Sequence, residues 1–309
     1  MNAARLIVLS VLGVFAALFA ASPRQPKLAF SFLKHVMLLV AASGVLAPFL
    51  WLVAAVFKDK SVLNEYVFFP PLGEWSARTL NLNNFRELLA GKPSLGGTVY
   101  FWQYLLNSVC LASTSTVLQL FFCSLAGYAV AKYDFRGKAG LLAFMLGSLT
   151  IPGVLLMPPI YELLVRIHLV DSYSGVILPG MVSAYGIFLF RQAMHGVPNE
   201  LIDAGRVDGC AEFWIYLRLV MPLVRPTSAA FCLMSFLASW NSFFAPSVLL
   251  QTQSKLTLPV VLNLYIAQYA NDYGVFLAGT VLAIVPPAIL FFALQREFVS
   301  GLVSGAVKG

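Results

Sequence analysis

Long uncharged stretches alternate with short polar connectors along the chain. A bilayer core about 30 Å thick takes roughly 20 helical residues to cross, because an α-helix rises about 1.5 Å per residue. Stretches of about that length are predicted to be membrane-spanning helices, and they lie at residues 36–57, 104–131, 139–161, 172–190, 226–250 and 273–295. The pattern therefore predicts an all-α integral membrane protein.

A further apolar stretch, residues 6–22, is shorter than these six. It follows Arg5 and ends in small residues, so it fits either a retained span or a secretory signal peptide that is cleaved. Basic residues follow it at once, at Arg24, Lys27 and Lys34, as they do at the cytoplasmic end of a span. We therefore favour a retained first span.

Several of the spans contain proline, which removes a backbone hydrogen-bond donor and bends or interrupts a helix. These prolines are Pro152, Pro158, Pro159, Pro179, Pro246, Pro286 and Pro287. They fit packing kinks, and they fit equally the interrupted helices with which transporters line a water-filled path.

The composition agrees with a membrane protein. Of 309 residues, 60% are hydrophobic and 11% are charged, whereas soluble proteins have roughly 45–50% and about 25%. Four cysteines lack the CxxC spacing of a zinc site or redox motif, so neither a metal site nor a disulfide framework is predicted.

The positive charge of the chain indicates its orientation. Net charge is +7, from 20 Lys and Arg against 13 Asp and Glu. These bases form no run or patch, which argues against nucleic acid as a partner. More than half lie in alternate connectors and the tail, at Arg24, Lys27, Lys34, Lys132, Arg136, Lys138, Arg191, Arg206, Arg218, Arg225, Arg296 and Lys308. Since cytoplasmic connectors are enriched in Lys and Arg, we expect a cytoplasmic C-terminus and an extracytoplasmic N-terminus.

Groups that catalysis or ion coupling would need are missing from the sequence. None of the six long stretches has an ionisable residue near its middle, where an ion-coupled carrier needs one. No HExxH, GxSxG or GxxxxGK[ST] motif occurs, so no catalytic residue is predicted and the chain itself should not hydrolyse ATP.

Neutral polar and aromatic residues lie within the predicted spans instead. Amides bind hydroxyl groups and aromatic faces stack on sugar rings, so these residues suit an uncharged polyhydroxylated solute. The candidates for a substrate path are Asn107, Ser115, Gln119, Trp240 and Asn241.

The connector at residues 197–226 carries a helix–turn–helix pattern. Pro198 and Asn199 are helix start signals, and acidic residues favour the positive N-terminal end of the helix that follows. Asp208 and Gly209 then predict a turn before a second helix. One face of the first helix is predicted to consist mostly of small residues that let another backbone approach, and it comprises Leu201, Ala204, Gly205 and Asp208.

This connector resembles the EAA loop of bacterial ABC importer permeases. The resemblance rests on residues 200–209 (Glu-Leu-Ile-Asp-Ala-Gly-Arg-Val-Asp-Gly) and on the spacing from Gly209 to Pro222. The family's Glu-Ala-Ala is Asp203-Ala204-Gly205 here, and Cys210 replaces the alanine after Asp-Gly. Further motifs, in order from Asn107-Ser108 to Trp240-Asn241 and residues 298–309, are similar to the maltose-type carbohydrate branch, although Ser242 stands where that branch often has Glu.

The resemblance implies a six-helix permease core, and the predicted span at 6–22 is one extra N-terminal transmembrane helix beyond the family's usual six. The resemblance divides the chain into an extra span with a cytoplasmic linker (1–33), the first core span with a long extracytoplasmic connector (34–103), the permease core with its coupling loop (104–296, loop 197–226), and a cytoplasmic tail (297–309).

The resemblance also implies a role and partners. The chain is expected to be a subunit of an ATP-driven sugar importer in the bacterial cytoplasmic (inner) membrane, surrounded by lipid. Its expected partners are a second, usually different, permease, two ABC ATPases that bind ATP and Mg, and an extracytoplasmic solute-binding protein. No cofactor is expected on this chain. The alternatives are an importer of glycerol phosphate or a related polyol phosphate and, less favoured, an ion-coupled carrier.

In the family, the loop helix docks on an ATPase subunit and moves with it. The residues to which the resemblance assigns this coupling are Glu200, Asp203, Ala204, Gly205, Asp208 and Gly209, with Phe213 and Pro222 fixing the loop to the membrane domain.

Overall fold

The computed structural model describes residues 27–94, 97–268 and 273–306, together with the single residue Val14. The predicted span at 6–22, apart from Val14, and the last residues of the predicted tail lie outside this part of the chain. Two compact units are present, divided between Asn84 and Phe85.

The first unit is built on one long helix, α1 (Lys27–Val56). It covers all but the last residue of the predicted span at 36–57, and most of its large apolar side chains are exposed within the chain. The connector beyond it folds back on the end of this helix. The Nζ atom of buried Lys58 donates to the carbonyl of Tyr66 at 2.5 Å, and the amide of Asn84 donates to the carbonyl of Val56 at 2.7 Å.

The remaining elements are mostly helices. They are α2 (Asn83–Leu89), α3 (Phe101–Lys132), α4 (Lys138–Ser148), α5 (Met157–Arg166), α6 (Tyr173–Ile177), α7 (Ala184–His195), α8 (Asn199–Val207), α9 (Glu212–Leu223), α10 (Arg225–Trp240), α11 (Phe244–Leu249), α12 (Leu258–Gln268) and α13 (Tyr273–Ala306). Short 3₁₀ turns occur at Leu72–Glu74, Gly153–Leu156, Leu178–Gly180 and Gln253–Lys255, and the middle of α9, Ile215–Val220, is π-helical. Strands β1 (Lys92–Ser94) and β2 (Gly97–Val99) form an antiparallel pair.

Three of the described helices are long and apolar enough to cross a membrane unbroken. They are Phe30–Val56, Phe101–Lys132 and Tyr273–Glu297. Other predicted spans are interrupted: α4 meets the segment Gly153–Arg166 at 98°, and Tyr173–Gly180 meets α7 at 48°. The predicted span at 226–250 begins as α10, which itself meets α9 at 86°, and breaks at residues 241–243 before α11.

Proline explains where two of these helices break. Pro152 has no N–H to offer the carbonyl of Ser148, the last residue of α4, and Pro246 has none for the carbonyl of Ser242. Pro286 and Pro287, by contrast, lie inside the continuous α13. The sequence had left kinks and interruptions open, and the structure contains interruptions beside Pro152 and Pro246.

The core of the second unit is centred on α3, which packs against α7 and α10, while α10 also packs on α13. Glycine allows the closest approach. A Cβ atom on Gly127 of α3 would lie 2.6 Å from the Cβ of Phe190 on α7. Around this contact lies a buried cluster that includes Cys123, Tyr128 and Tyr216.

Candidate functional site

A cavity of about 440 Å³ lies beside the middle of α3. Its walls come from α3, α5, α6, α10 and α11, from the break after α10, and from the 3₁₀ turns at Gly153–Leu156 and Leu178–Gly180. The interruptions of the predicted spans therefore surround the cavity. Its polar side chains are Ser115, Gln119, Ser235, Ser239 and Ser242, and none of the described residues that line it is charged.

The amide of Gln119 connects three walls of this cavity. Its Nε2 atom donates to the carbonyl of Gly180 at 2.7 Å, and its Oε1 atom accepts from the hydroxyl of Ser235 at 2.8 Å. Gly180 lies where the predicted span at 172–190 is interrupted. Both hydrogen bonds fix the amide plane, so Gln119 presents a set orientation to the cavity.

Two of the five predicted substrate-path residues, Ser115 and Gln119, line the cavity, and three do not. Asn107 donates from Nδ2 to the carbonyls of Ser254 and Leu256, at 2.8 and 3.0 Å, and so holds the connector before α12. Trp240 is buried and stacks on the ring of Phe236 at 5.7 Å.

Asn241, the third, is exposed just after the end of α10. The sequence reasoning missed Ser235, Ser239 and Ser242, whose spacing of four and then three residues is that of one helical face. Ser235 and Ser239 lie on such a face of α10, and Ser242 lies in the break that follows the helix. That periodicity was the signal that could have found them.

The predicted loop helix is present as α8, and its end is set by Gly209. Here φ is +77°, a left-handed conformation that glycine adopts without strain. The N–H of Gly209 donates to the carbonyl of Arg206, and the N–H of Cys210 donates to the carbonyl of Gly205, both at 3.0 Å. This pair of bonds is a Schellman cap, which fixes the direction in which the chain leaves the helix.

The face of α8 that was predicted to consist mostly of small residues is partly buried in the loop and partly exposed. Gly205 is buried, and a Cβ atom there would lie 3.0 Å from Leu219 and 3.3 Å from Ile215 on α9. Leu201, Ala204 and Asp208 are exposed. Gly205 therefore lets α8 pack on α9, and the other three remain available to a partner.

A groove of about 550 Å³ opens beside these exposed residues. Its lining comprises Leu201, Ala204, Gly205, Asp208, Gly209, Cys210, Ala211, Trp214, Ile215, Arg218 and Leu219. At one wall the guanidinium of Arg218 lies 4.4 Å from the ring centre of Trp214. The lining of the groove is thus largely apolar and includes two charged side chains, those of Asp208 and Arg218.

Of the remaining predicted coupling residues, Glu200 is exposed on the first turn of α8. Phe213 is half-exposed, with its ring centre 5.9 Å from that of the buried Tyr216. Pro222 is exposed in the last turn of α9. Asp203 pairs with Arg206 at 2.9 Å.

Polar contacts that the sequence reasoning missed join this loop to α3. Arg206 donates from Nε to Glu212 at 2.6 Å, and the hydroxyl of Tyr133 donates to the other oxygen of the same carboxylate at 2.5 Å. The hydrogen bonds from Arg206 and then Tyr133 lower the pKa of Glu212 below its usual value. Lys132 donates to the carbonyl of Val197 at 2.5 Å.

At the opposite end of the helices, Asp171 holds two connectors together. Its carboxylate accepts hydrogen bonds from the backbone N–H groups of Gln251 and Thr252, both at 2.9 Å, and from the ammonium of Lys255 at 2.9 Å. Burial raises the pKa of Asp171, but these hydrogen bonds and that from the Thr252 hydroxyl at 2.6 Å lower the pKa by more than burial raises it. The net shift of the pKa is therefore downward. The carboxylate therefore stays ionised.

Over residues 27–94, 97–268 and 273–306, no three His, Cys, Asp or Glu side chains come together as a metal site would need.

The sequence of this chain is similar to those of known transport proteins. The family model of the binding-protein-dependent transport system inner membrane component matches residues 123–302. The arabinooligosaccharides transport system permease protein AraQ of Bacillus subtilis is 42% identical over 214 residues, which are 69% of this chain and 76% of that protein. The lactose transport system permease protein LacG of Rhizobium radiobacter is 31% identical over 89% of this chain and 95% of its own.

A solved structure shares the fold. It is a bacterial ABC transporter involved in the import of the acidic polysaccharide alginate, with a TM-score of 0.74 and 21% identity over 89% of this chain and 98% of that chain. The likeness therefore extends over nearly the whole described architecture.

Proposed function

Since the chain belongs to the family of binding-protein-dependent transport system inner membrane components, we propose that it is a permease subunit of an ATP-driven importer of neutral sugars. With a second permease it forms the path across the inner membrane, and separate ATPase subunits drive it. The cavity beside α3 is the observation that carries the choice of substrate.

The chemistry of that cavity favours an uncharged, hydroxylated ligand. Its polar groups are four serine hydroxyls and one amide, which exchange hydrogen bonds with sugar hydroxyls. A phosphate or carboxylate would call for a basic side chain, because burying an unpaired charge costs several kcal/mol. The relatives named for arabinooligosaccharides and lactose support the same substrate class.

The groove beside α8 is proposed as the docking site of an ATPase subunit. An ATPase can shift the conformational equilibrium of the permease only if its contacts differ between the two states. A flexible helix would absorb that difference, so the helix that transmits the motion must be held rigidly. The Schellman cap at Gly209 and the packing of Gly205 on α9 supply that rigidity. Leu201, Ala204 and Asp208 are the contacts offered to the partner.

Orientation follows from the connectors. The loop that contains α8, like the connector after α3, is rich in bases, and both are placed in the cytoplasm, with the C-terminus. The connectors held by Asp171 and Lys255 then face the extracytoplasmic side, where a solute-binding protein would deliver sugar. The N-terminus is placed on that side as well.

The test uses the importer assembled with its permease, ATPase and binding-protein partners in proteoliposomes. Uptake of labelled neutral oligosaccharides and of glycerol phosphate is measured with ATP, and again with an ionophore present. We expect uptake of oligosaccharide that needs ATP and survives the ionophore. Uptake of glycerol phosphate alone, or loss of uptake with the ion gradient, would contradict the proposal.

A cavity variant adds residue-level control. Ser239→Trp fills the cavity and should abolish uptake, whereas Ser113→Trp, on the exposed side of α3 outside the cavity, should leave it unchanged. Equal uptake by both variants would mean that sugar does not pass through this cavity.

A further inference from the structure

The cytoplasmic end of α3 holds α8 near both of its ends. Near the start of α8, the Nζ atom of Lys132 donates to the carbonyl of Val197 at 2.5 Å and to the side-chain oxygen of Asn199 at 2.8 Å. Near its end, Arg206 pairs with Glu212, and the same carboxylate accepts from the hydroxyl of Tyr133 at 2.5 Å. A helix fixed at two points cannot pivot freely relative to α3.

Glu212 connects the end of α8 to the end of α3. One oxygen faces Arg206 at 2.6 Å, and the other accepts from Tyr133 and, at 3.3 Å, from Tyr128. Arg206 is held in turn by Asp203 on its own helix at 2.9 Å. An exposed ion pair by itself adds little stability. Its consequence here is geometric, because it aims the carboxylate at two hydroxyls near the end of α3.

The other end of this connection reaches the cavity. Helix α3 is continuous over its 32 residues and carries Ser115 and Gln119, which line the cavity. From Gln119 to Lys132 the helix spans about 20 Å at its standard rise per residue. The close approach at Gly127 locks the same stretch against α7. A displacement at the cytoplasmic end of α3 therefore reaches the amide of Gln119 with little loss.

We propose that Lys132, Tyr133 and Glu212 are positioning residues that make α3 the element through which α8 moves the substrate cavity. This inference rests on the proposed function, since it assumes that an ATPase moves α8. The loop has a further contact with α3 that does not involve these three residues. Tyr216 of α9 is buried against α3, and its hydroxyl lies 2.6 Å from the Oγ atom of Ser124.

The experiment compares the double substitution Lys132→Met/Glu212→Ala with the wild type in the assembled importer. Asp134→Ala is the matched control, because Asp134 is a fully exposed carboxylate on the adjacent connector whose ion pair is with Lys138. Three quantities are measured: recovery of the ATPase subunit with the permease, basal ATP hydrolysis, and sugar transported per ATP hydrolysed.

We expect the double variant to retain the ATPase subunit and basal hydrolysis while sugar transported per ATP falls about tenfold, a coupling loss of typical size. The control should match the wild type, and Glu212→Gln, which keeps an oxygen for Tyr133, should lose less than Glu212→Ala. Wild-type sugar transport per ATP in the double variant would overturn the inference. So would loss of the ATPase subunit, since these residues would then hold the partner rather than transmit its motion. If the wild type itself shows no ATP-dependent uptake, the proposed function fails instead.

Discussion

Replacement of Gly209 by valine tests the coupling role of α8 most sharply. Gly209 has φ +77°, and a Cβ atom built there meets no atom within 4 Å. Steric overlap inside the chain is therefore absent, and the cost of Gly209→Val comes from the backbone conformation. A left-handed conformation costs an ordinary L-residue about 1–2 kcal/mol, and β-branched residues are among the least tolerant of it.

This strain energy is small compared with the free energy of unfolding and large compared with the free energy that couples ATPase closure to transport. About 1–2 kcal/mol is a factor of roughly 5–30 in an equilibrium, and the strain can be relieved by opening the Schellman cap rather than by disturbing the membrane helices. Opening the cap changes the direction in which α8 continues into α9. A shift of a two-state transporter from 1:99 to 99:1 needs about 5.5 kcal/mol of differential binding. A loss of about 1–2 kcal/mol at α8 is a substantial part of that, so it should weaken coupling measurably.

The assay is the sugar-stimulated ATPase activity of the assembled importer, with insertion and assembly checked by recovery of the complex. We expect Gly209→Val to lose most of the stimulation. Gly209→Asn should retain it, because Asn tolerates the left-handed conformation. Gly137→Val is the matched control, since Gly137 has φ +86° and equally open surroundings on the connector before α4. Normal stimulation in Gly209→Val would show that coupling does not need the left-handed turn after α8.

Further predictions concern packing and stability, each measured as thermal unfolding of the detergent-solubilised chain. Gly127→Ala places a Cβ atom 2.6 Å from that of Phe190 and should cost about 1–3 kcal/mol, as overpacking does; an unchanged midpoint would contradict the close contact. Asp171→Asn should cost about 1.5–3 kcal/mol through its lost charge-assisted hydrogen bonds. Because the pKa of Asp171 is lowered, the wild-type contribution is present at neutral pH and should be lost only below the ordinary aspartate value of 3.8; a loss near pH 6 would refute this. Asn107→Ala should lower stability by about 1 kcal/mol without changing the sugar concentration at half-maximal uptake, and a changed concentration would return Asn107 to the substrate path.

The helices and the coupling loop could be predicted because their signals are local. Apolar runs of span length predicted the long helices, and Gly209 after Asp208 predicted the turn, since only a few residue types adopt its conformation. Membership of the transport family was confirmed, and with it the helical fold. The division into four segments stays a prediction.

The cavity could be predicted only in part, because it depends on which faces of distant helices meet. Ser115 and Gln119 line it, but Asn107, on the same helix, turns to the connector before α12. Nothing in the local sequence around Asn107 separates a residue that binds a solute from one that binds a backbone carbonyl. Serines on α10 were missed for the complementary reason, since serine in an apolar helix is common and becomes informative only beside a cavity.

The connection between α3 and the coupling loop was beyond sequence reasoning. Tyr133 and Glu212 are 79 residues apart, and each lies beside a turn rather than in a recognised motif. Their meeting depends on the contact of α9 with α3, where the buried Tyr216 lies against Tyr128 and Ser124. A single sequence carries no signal for a contact of this kind.

Coupling to an ATPase subunit requires that α8 face the cytoplasm, so the side of the membrane on which α8 lies is the decisive measurement. Val207, 88% exposed at the end of α8, is replaced by cysteine in a background in which Cys110 and Cys210 are serine, and Gln251→Cys reports the opposite connector. Membrane-impermeant thiol reagents are applied to intact cells without the outer membrane and to inverted vesicles. We expect Val207→Cys to react only in inverted vesicles and to be protected there by the ATPase subunit, while Gln251→Cys reacts only in cells. Reaction of Val207→Cys from outside the cell would contradict a cytoplasmic α8.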